Sequence, residues 1–90
     1  MLESKFVVIN RLGLHARAAA QLVRLSETFQ SEISIRRTDT GTTADAKSIL
    51  DVLTLAAPKG ITVEITVEGT DEEKALTAVV EIFADGFGEE

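Results

Sequence analysis

Residues 61–68 have the clearest pattern in the chain, because apolar and polar side chains alternate there without a break. Every odd position is isoleucine or valine, and every even position is threonine or glutamate. This period of two predicts a β-strand that buries one face and leaves the other in water. Residues 32–36 alternate in the same way, and residues 5–9 form a third β-prone run. A turn at 38–41 followed by a short strand at 42–44 would complete a hairpin.

Three other segments carry apolar residues at helical spacing. The first starts at Ala16 and is expected to end near residues 30–31. The second starts after Ser48, which stands three residues before Asp51 in a capping-box pattern. The third follows a similar capping box at 70–73. Its apolar stripe comprises Leu76, Val79, Val80 and Phe83.

The order of these elements is strand, helix, strand, strand, helix, strand, helix. This order predicts an α+β fold, an open-faced two-layer β-sandwich whose four-stranded antiparallel sheet carries three helices on one face (βαββαβα). The 90 residues are enough for one small domain, 1–90, and too few for a deep, closed active-site cavity. Gly86 is predicted as the C-cap of the last helix, and residues 88–90 are expected to fray.

The composition excludes several classes of protein. Apolar residues make up 44% and charged residues 27%, a balance that argues against disorder. There is no cysteine, which excludes disulfides, thiolate metal sites and cysteine nucleophiles, and with a single histidine neither a metal site nor a cofactor is expected. No apolar run is long enough to cross a membrane, and no signal peptide is visible. A soluble cytoplasmic protein without membrane insertion is therefore expected.

Charge is distributed unevenly along the chain. The net charge of −6 argues against nucleic acid as a partner. Residues 1–47 nevertheless carry a net charge of +2, and residues 48–90 carry −8. The basic side chains of the first half include Arg11, Arg17 and Arg24, which stand around the only histidine, His15. A basic neighbourhood on an acidic protein indicates that this part of the chain handles anions.

His15 stands between a glycine-containing loop and the predicted start of the first helix. The first N–H groups of a helix lack partners inside the helix and form an anion site. A histidine there can hold a phosphoryl group on a ring nitrogen, with the phosphoryl oxygens facing the amides of Ala16 and Arg17. The Arg17 side chain can add a charge-assisted contact. From spacing alone, a histidine that caps the helix without any chemistry is the commoner case.

Ser48 and the leucines after it have two interpretations each. Ser48 can be an ordinary N-cap, worth ~1 kcal/mol, or a regulatory phosphorylation site, because a phosphate at a helix N-terminus is stabilised. These two roles are compatible. Leu50, Leu53 and Leu55 fit core packing at helical spacing, whereas any of them that faces solvent beside His15 would form a docking patch.

Two stretches of the chain resemble the signatures of one known family. Residues 13–19, GLHARAA, closely resemble the G-L-H-A-R-P-A signature of the HPr family. Its members are the histidine-containing phosphocarriers of the bacterial phosphoenolpyruvate-dependent phosphotransferase system. Residues 47–53, KSILDVL, resemble the second signature of that family, which carries a regulatory serine. The resemblance covers essentially the whole chain, including its length and element order.

The resemblance implies a phosphoryl carrier rather than an enzyme. His15 would accept a phosphoryl group on Nδ1 from phosphorylated Enzyme I and pass it to a histidine of an Enzyme II A domain. Arg17 matches the arginine that contacts the phosphoryl group. Ser48 matches the serine that HPr kinase/phosphorylase modifies in many bacteria. The residues expected to dock partners are Leu50, Leu53 and Arg24.

The chain departs from the family pattern at three places. Ala18 stands where proline is usual, and it is expected to keep the helix, because a first-turn proline lacks only an N–H that has no partner. The turn at 38–41 is slightly longer than usual. Asp51 stands where a small residue is common, and its negative charge beside Ser48 would hinder a kinase.

Several functions remain open at this point. The sequence does not separate the sugar-uptake branch of the phosphotransferase system from its nitrogen-related branch. A function of another class is a regulatory interaction module, whose binding to a transcriptional regulator or an enzyme is switched by phosphorylation of Ser48. A third is a small acyl-phosphate hydrolase on a similar sandwich, which would need an anion-cradling loop that the sequence lacks. Nothing indicates an oligomer, so a monomer is expected.

Overall fold

The computed structural model describes residues 1–89 as a four-stranded sheet, three α-helices and one 3₁₀ turn. The strands are β1 (Leu2–Val7), β2 (Glu32–Arg37), β3 (Thr43–Asp45) and β4 (Thr62–Glu68). The helices are α1 (Ala16–Glu27), α2 (Ile49–Leu55) and α3 (Glu72–Ala84), and the 3₁₀ turn is Gly86–Gly88. The strand order is β1-β4-β2-β3, and all neighbouring strands are antiparallel. The predicted βαββαβα order and antiparallel sheet are confirmed.

The central strand β4 explains the alternating pattern of the sequence. Val63, Ile65 and Val67 are completely buried on the face that the helices cover. Ile65 lies opposite Ile35 of β2, which is also completely buried. Each such side chain contributes ~1.5–3 kcal/mol when it leaves water. The threonine and glutamate side chains of β4 point to the other face, which stays open to solvent.

All three helices pack their apolar stripes onto this one face of the sheet. Their buried residues are Ala18, Ala19, Leu22 and Ser26 of α1, Val52 and Leu55 of α2, and Ala75, Val79 and Phe83 of α3. The alanines add little side-chain bulk, and α1 approaches its neighbours α2 and α3 closely. The helices and the sheet therefore share one apolar core, as the open-faced sandwich requires.

Several element boundaries differ from those expected, and the two largest differences are at the start of β1 and the end of α1. β1 begins at Leu2, three residues before the predicted run, because pairing with β4 sets Leu2 opposite Val67. Pairing with β4 thus extends the strand to residues whose own β-propensity does not predict it. α1 ends at Glu27, a few residues early, and the hydroxyl of Thr28 donates to the Leu25 carbonyl at 2.6 Å. This side-chain bond competes with continuation of the helix.

The predicted capping box at 70–73 is wrong. Asp71 occupies the N-cap position of α3, but its carboxylate makes no bond to the helix start. It accepts instead from the backbone N–H groups of Gln30 and Ser31, each at 2.9 Å, and from the Ser31 hydroxyl at 2.5 Å. The pKa of Asp71 is lowered, and the hydrogen bond from the Ser31 hydroxyl is the main cause. The Asp71 side chain therefore bonds to the connection between α1 and β2 instead of capping the start of α3.

Candidate functional site

The loop before α1 is held against the chain that follows α2. Gly13 has a φ of +64°, and the N–H of Leu14 donates to the carbonyl of Ala57 at 2.9 Å. A Cβ atom on Gly13 would overlap that carbonyl and lie 2.8 Å from the Cα of Pro58. Only glycine fits this backbone conformation and this close approach. The contact fixes the point at which α1 begins.

His15 is the N-cap residue of α1, which is the position expected from the sequence. Its backbone is extended, and its carbonyl accepts the N–H of Ala19 at 2.8 Å. Nδ1 of the ring accepts the backbone N–H of Arg17 at 3.3 Å. The side chain is 25% exposed, so the ring is within reach of a partner. Nδ1 therefore faces the positive end of a 12-residue helix.

The other ring nitrogen of His15 contacts a carboxylate. Nε2 bonds to Oε2 of Glu89, the last residue that the structure describes. Because Nδ1 accepts a hydrogen bond, Nε2 carries the ring proton and donates it to Glu89. The pKa of Glu89 is lowered, and the hydrogen bond from His15 is the main cause. The imidazole is thus held between the start of α1 and Glu89.

Residues 86–89, which we call the C-terminal arm, bring Glu89 to the ring. Phe87 is buried, and its ring meets the ring of Phe83 edge to face with centroids 5.0 Å apart. Phe87 has a φ of +57°, a left-handed conformation that costs a bulky residue about 1–2 kcal/mol. Burial of the phenyl ring contributes about 1.5–3 kcal/mol and offsets that strain.

Two sequence predictions concern the same region. The sequence predicts Gly86 as the C-cap of α3, but the C-cap residue is Asp85, and Gly86 is the left-handed residue directly after it, with a φ of +61°. The expected fraying is wrong for Gly88 and Glu89. The backbone N–H of Gly88 donates to the carbonyl of Asp85 at 3.2 Å, and the backbone N–H of Glu89 donates to the carbonyl of Gly86 at 3.0 Å. Residue 90, also expected to fray, lies outside the described residues.

Asn10 joins the loop to the C-terminal arm. Its side chain is buried, and Nδ2 donates to the Gly13 carbonyl at 2.6 Å and to Oε2 of Glu89 at 3.4 Å. The sequence pattern indicates only a loop at Asn10 and gives no sign that Glu89 belongs to the site. These two residues are 79 positions apart, and no local spacing connects them.

Two arginines lie beside the histidine. Arg11 and Arg17 line a cleft of about 380 Å³ together with Leu12 and three residues of the C-terminal arm. Arg24 is exposed on α1, about two turns after Arg17. Within residues 1–89 these three arginines form no ion pair. Their positive charges are therefore not neutralised by the part of the chain that the structure describes.

Ser48 caps α2 through bonds to its near neighbours. Its hydroxyl accepts the N–H of Asp51 at 3.4 Å, and its own N–H donates to the carbonyl of Asp45 at 2.9 Å. The predicted capping box is therefore half formed. The carboxylate of Asp51 accepts from the N–H of Asp45 at 3.2 Å rather than from that of Ser48. The Ser48 side chain is half-buried, so solvent still reaches it.

The leucines of α2 divide between surface and core. Leu50 is 73% exposed, whereas Leu55 is buried and Leu53 is half-buried against the core. Leu50 therefore remains a candidate for docking, together with the exposed Arg24, and Leu53 contributes mainly to packing. Leu12 and Ile49 are also exposed, at 58% and 41%, although nothing in their spacing along the chain indicates it.

The groups that converge at the start of α1 are a ring nitrogen, a backbone amide, a carboxylate and two nearby guanidinium groups. This set suits an anion of phosphoryl size at Nδ1. Among residues 1–89, no group of three or more histidine, aspartate or glutamate side chains is placed to hold a metal ion. In the same range, no helix has the length and apolar character needed to cross a membrane.

Comparisons with known proteins point to one family. The family model described as the phosphotransferase-system HPr component phosphorylation site matches residues 2–85. The phosphocarrier protein HPr of Cupriavidus necator is 44% identical over 89 residues, which cover 99% of this chain and 98% of that protein. The phosphocarrier protein NPr of Escherichia coli K12 is 41% identical over 83 residues, which cover 92% and 91%.

The fold agrees with a solved structure of the same kind. The crystal structure of HPr-C-His from Thermoanaerobacter tengcongensis matches with a TM-score of 0.92 and 37% identity, covering 100% of this chain and 99% of that one. The fold and the relatives together define the class as that of the phosphocarrier proteins. Within that class, the chain belongs to the HPr family. The matched family model ends at residue 85, so the C-terminal arm lies beyond it.

Proposed function

We propose that this protein carries a phosphoryl group on Nδ1 of His15. In this proposal it accepts the group from phosphorylated Enzyme I and delivers it to an Enzyme II A domain of the phosphotransferase system. The observation that carries the proposal is the position of Nδ1, which faces the start of α1 and lies 3.3 Å from the Arg17 amide. A ring nitrogen at a helix N-terminus has a ready site for the oxygens of a phosphoryl group.

The transfer step needs no proton to leave the ring. The lone pair of Nδ1 attacks the phosphorus atom of the donor phosphohistidine. The N–P bond of the donor breaks and its electron pair returns to the donor ring, so one N–P bond forms as another breaks. The Arg17 amide, now bonded to Nδ1, turns to a phosphoryl oxygen, together with the Ala16 amide. The Arg17 guanidinium and the positive end of α1 stabilise the added negative charge.

An open site suits a carrier that must meet two partners in turn. The His15 side chain is 25% exposed, so each partner's histidine can approach it along the same direction. Leu50 offers an exposed apolar anchor, and Arg24 offers a positive charge for an acidic partner surface. Leu53 is half-buried and packs against the core. The site therefore needs a docking face rather than a cavity, and the protein acts as a carrier rather than an enzyme.

Ser48 is proposed as a second, regulatory site, modified by HPr kinase/phosphorylase. A phosphate there adds about −1.5 to −2 charge beside Leu50. Repulsion from acidic groups on Enzyme I would then weaken the phosphorylation of His15. The Asp51 carboxylate in the first turn of α2 opposes this modification by like charge. If Ser48 rather than His15 carried the function, the protein would act as an interaction module that is switched at this serine and binds a transcriptional regulator or an enzyme.

The remaining parts of the proposal concern the cellular setting. A monomer in the cytoplasm fits transfer between separate partners. The relatives include proteins named HPr and NPr at similar identity, so the proposal covers both the sugar-uptake and the nitrogen-related branch.

Intact-mass spectrometry after incubation with phosphoenolpyruvate and Enzyme I tests the proposal. One phosphoryl adduct that mild acid removes is expected. His15→Asn should abolish it while keeping an N-cap side chain, which makes it a better variant than His15→Ala, whose lost cap costs ~1 kcal/mol. An acid-stable adduct, or an adduct that persists in His15→Asn, would contradict the proposal. So would the absence of any adduct on a protein shown to be folded.

A further inference from the structure

We propose that Glu89 is a positioning residue for His15, and that the C-terminal arm exists to hold it there. The inference deepens the proposed function and rests on it only for its consequence, that the positioned nitrogen accepts the phosphoryl group. The geometry itself, a carboxylate on Nε2 and an amide on Nδ1, belongs to the unmodified protein.

The arm reaches the site through contacts of its own. Phe87 is buried against Phe83, and two backbone bonds close the turn that follows α3. Gly86 packs on the loop before α1, since a Cβ atom there would lie 3.5 Å from the Cβ of Asn10. These contacts do not involve His15. The arm is therefore anchored independently of His15, and this anchoring places Glu89 beside the ring.

The Glu89 carboxylate is itself held by more than the histidine. Nδ2 of Asn10 also donates to Oε2 of Glu89, at 3.4 Å. Asn10 is buried and fixed by the Gly13 carbonyl at 2.6 Å. Because this second bond comes from a buried side chain of the loop, the carboxylate is held at a point independent of the ring. A carboxylate that accepts the N–H of one ring nitrogen fixes the orientation of the imidazole.

The consequence of this contact is a choice between the two ring nitrogens. A neutral imidazole has one N–H and one lone pair. Glu89 takes the N–H of Nε2, so the lone pair stands on Nδ1, which faces the Arg17 amide. Without the carboxylate, the proton can occupy Nδ1 and the lone pair can turn to Nε2, away from the helix start. Glu89 therefore directs the nucleophilic nitrogen to the anion site.

The same contact suits the phosphorylated ring. A phosphoryl group on Nδ1 uses the lone pair there and leaves the proton on Nε2, so the bond to Glu89 is kept. The carboxylate also lies near the incoming anion, and two arginines offset that repulsion. Arg11 and Arg17 line the cleft that Glu89 shares. Two positive side chains therefore share this cleft with the Glu89 carboxylate.

Ring nitrogen NMR of the unmodified protein tests the inference directly, because His15 is the only histidine. In ¹⁵N-labelled protein at a pH where the ring is neutral, the wild type should show a protonated Nε2 and an unprotonated Nδ1. Glu89→Gln should raise the Nδ1-protonated fraction several-fold, and Glu89→Asp should restore part of the wild-type signal. Asp85→Asn is the matched control, since it removes one exposed carboxylate near the arm without touching the ring.

Transfer kinetics from Enzyme I supply the second readout. Glu89→Gln should lower kcat about tenfold, the equivalent of one lost charge-assisted hydrogen bond, with KM changed less than twofold. Asp85→Asn should change neither. An unchanged tautomer in Glu89→Gln overturns the inference whatever the kinetics are. If the tautomer shifts and no variant accepts a phosphoryl group, the positioning contact stands and the proposed function fails.

Discussion

The starts of α1 and α2 are both capped by a side chain, but the caps are held in different ways. At α2, the bonds that Ser48 makes within residues 1–89 all go to residues no more than four positions away. At α1, His15 bonds to Arg17 on one side and to Glu89, 74 positions away, on the other. One cap is built locally, and the other depends on the tertiary fold.

The cap of α2 serves mainly the stability of its helix, whereas the cap of α1 also sets the orientation of the His15 ring. A locally held cap stabilises its own helix, and its hydroxyl can be modified without moving anything distant. A cap held from the far end of the chain has its ring orientation set by the fold. The two proposed phosphorylation sites, Ser48 and His15, should therefore respond independently to mutation.

The largest expected effect comes from the loop that places His15. Gly13→Ala should lower the free energy of unfolding by about 3 kcal/mol, because a left-handed φ disfavours alanine and its Cβ overlaps the Ala57 carbonyl. Urea denaturation measures this. Gly41→Ala is the control, with a φ of +77° but nothing within 4 Å, and it should cost only about 1 kcal/mol. Equal losses in the two variants would mean that the loop is not packed as described.

The start of α3 extends the comparison, because its cap residue serves another segment. Asp71→Asn should destabilise the protein less than Gly13→Ala and more than a change of the Ser48 cap, since Asp71 accepts three hydrogen bonds. The folded-state pKa of Asp71 is lowered, so its contribution to stability is complete above the unfolded value of about 3.9 and is lost as the pH falls below it.

Urea midpoints measured from neutral pH to below pH 3.9 test this dependence. The wild type should lose stability more steeply than Asp71→Asn as the pH falls. Asp85→Asn, whose side chain makes no hydrogen bond within the described residues, should follow the wild type. Parallel curves for wild type and Asp71→Asn would refute the contact with the α1–β2 connection.

Ser48 gives a smaller and purely local effect. Ser48→Ala should cost ~1 kcal/mol of stability because α2 loses its cap, and Ser48→Asn should restore most of it. The rate of His15 phosphorylation by Enzyme I should stay the same in both variants. A changed rate in Ser48→Ala at an unchanged fold would mean that the two helix starts are coupled.

The smallest effect is expected for Ala18→Pro, which restores the residue usual in the family signature. Position 18 is the third of α1, where an N–H has no acceptor inside the helix, so stability should change by less than about 1 kcal/mol. Ala20→Pro, two positions later, removes a helical hydrogen bond and should cost about 3 kcal/mol or more. Thermal unfolding of both variants distinguishes them, and similar losses would place the start of α1 elsewhere.

The sequence was most informative where a pattern is periodic and local. The alternation over 61–68 predicted β4 and its buried face, and the spacing of Ser48 to Asp51 predicted the cap of α2. Both depend on interactions between near neighbours or on a single buried face. The position of His15 at the helix start followed from the helical spacing after Ala16 in the same way.

What the sequence did not reveal depends on contacts between distant segments. β1 extends back to Leu2 because β4 pairs with it, and Asp71 leaves its own helix to bond the α1–β2 connection. Glu89 and Asn10 join the site from opposite ends of the chain. Burial of Phe87 anchors the C-terminal arm, although a short glycine-rich segment without periodicity looks like a frayed terminus.

The most direct test of the account asks which atom bears the phosphoryl group. Phosphorylation of ¹⁵N-labelled protein by Enzyme I and phosphoenolpyruvate, followed by NMR of ³¹P–¹⁵N coupling, identifies the nitrogen bonded to phosphorus. Coupling to Nδ1 of His15, with the proton still on Nε2, is the expected result. Coupling to Nε2, where Glu89 lies in the unmodified protein, would contradict the account, as would phosphorus on any residue other than His15.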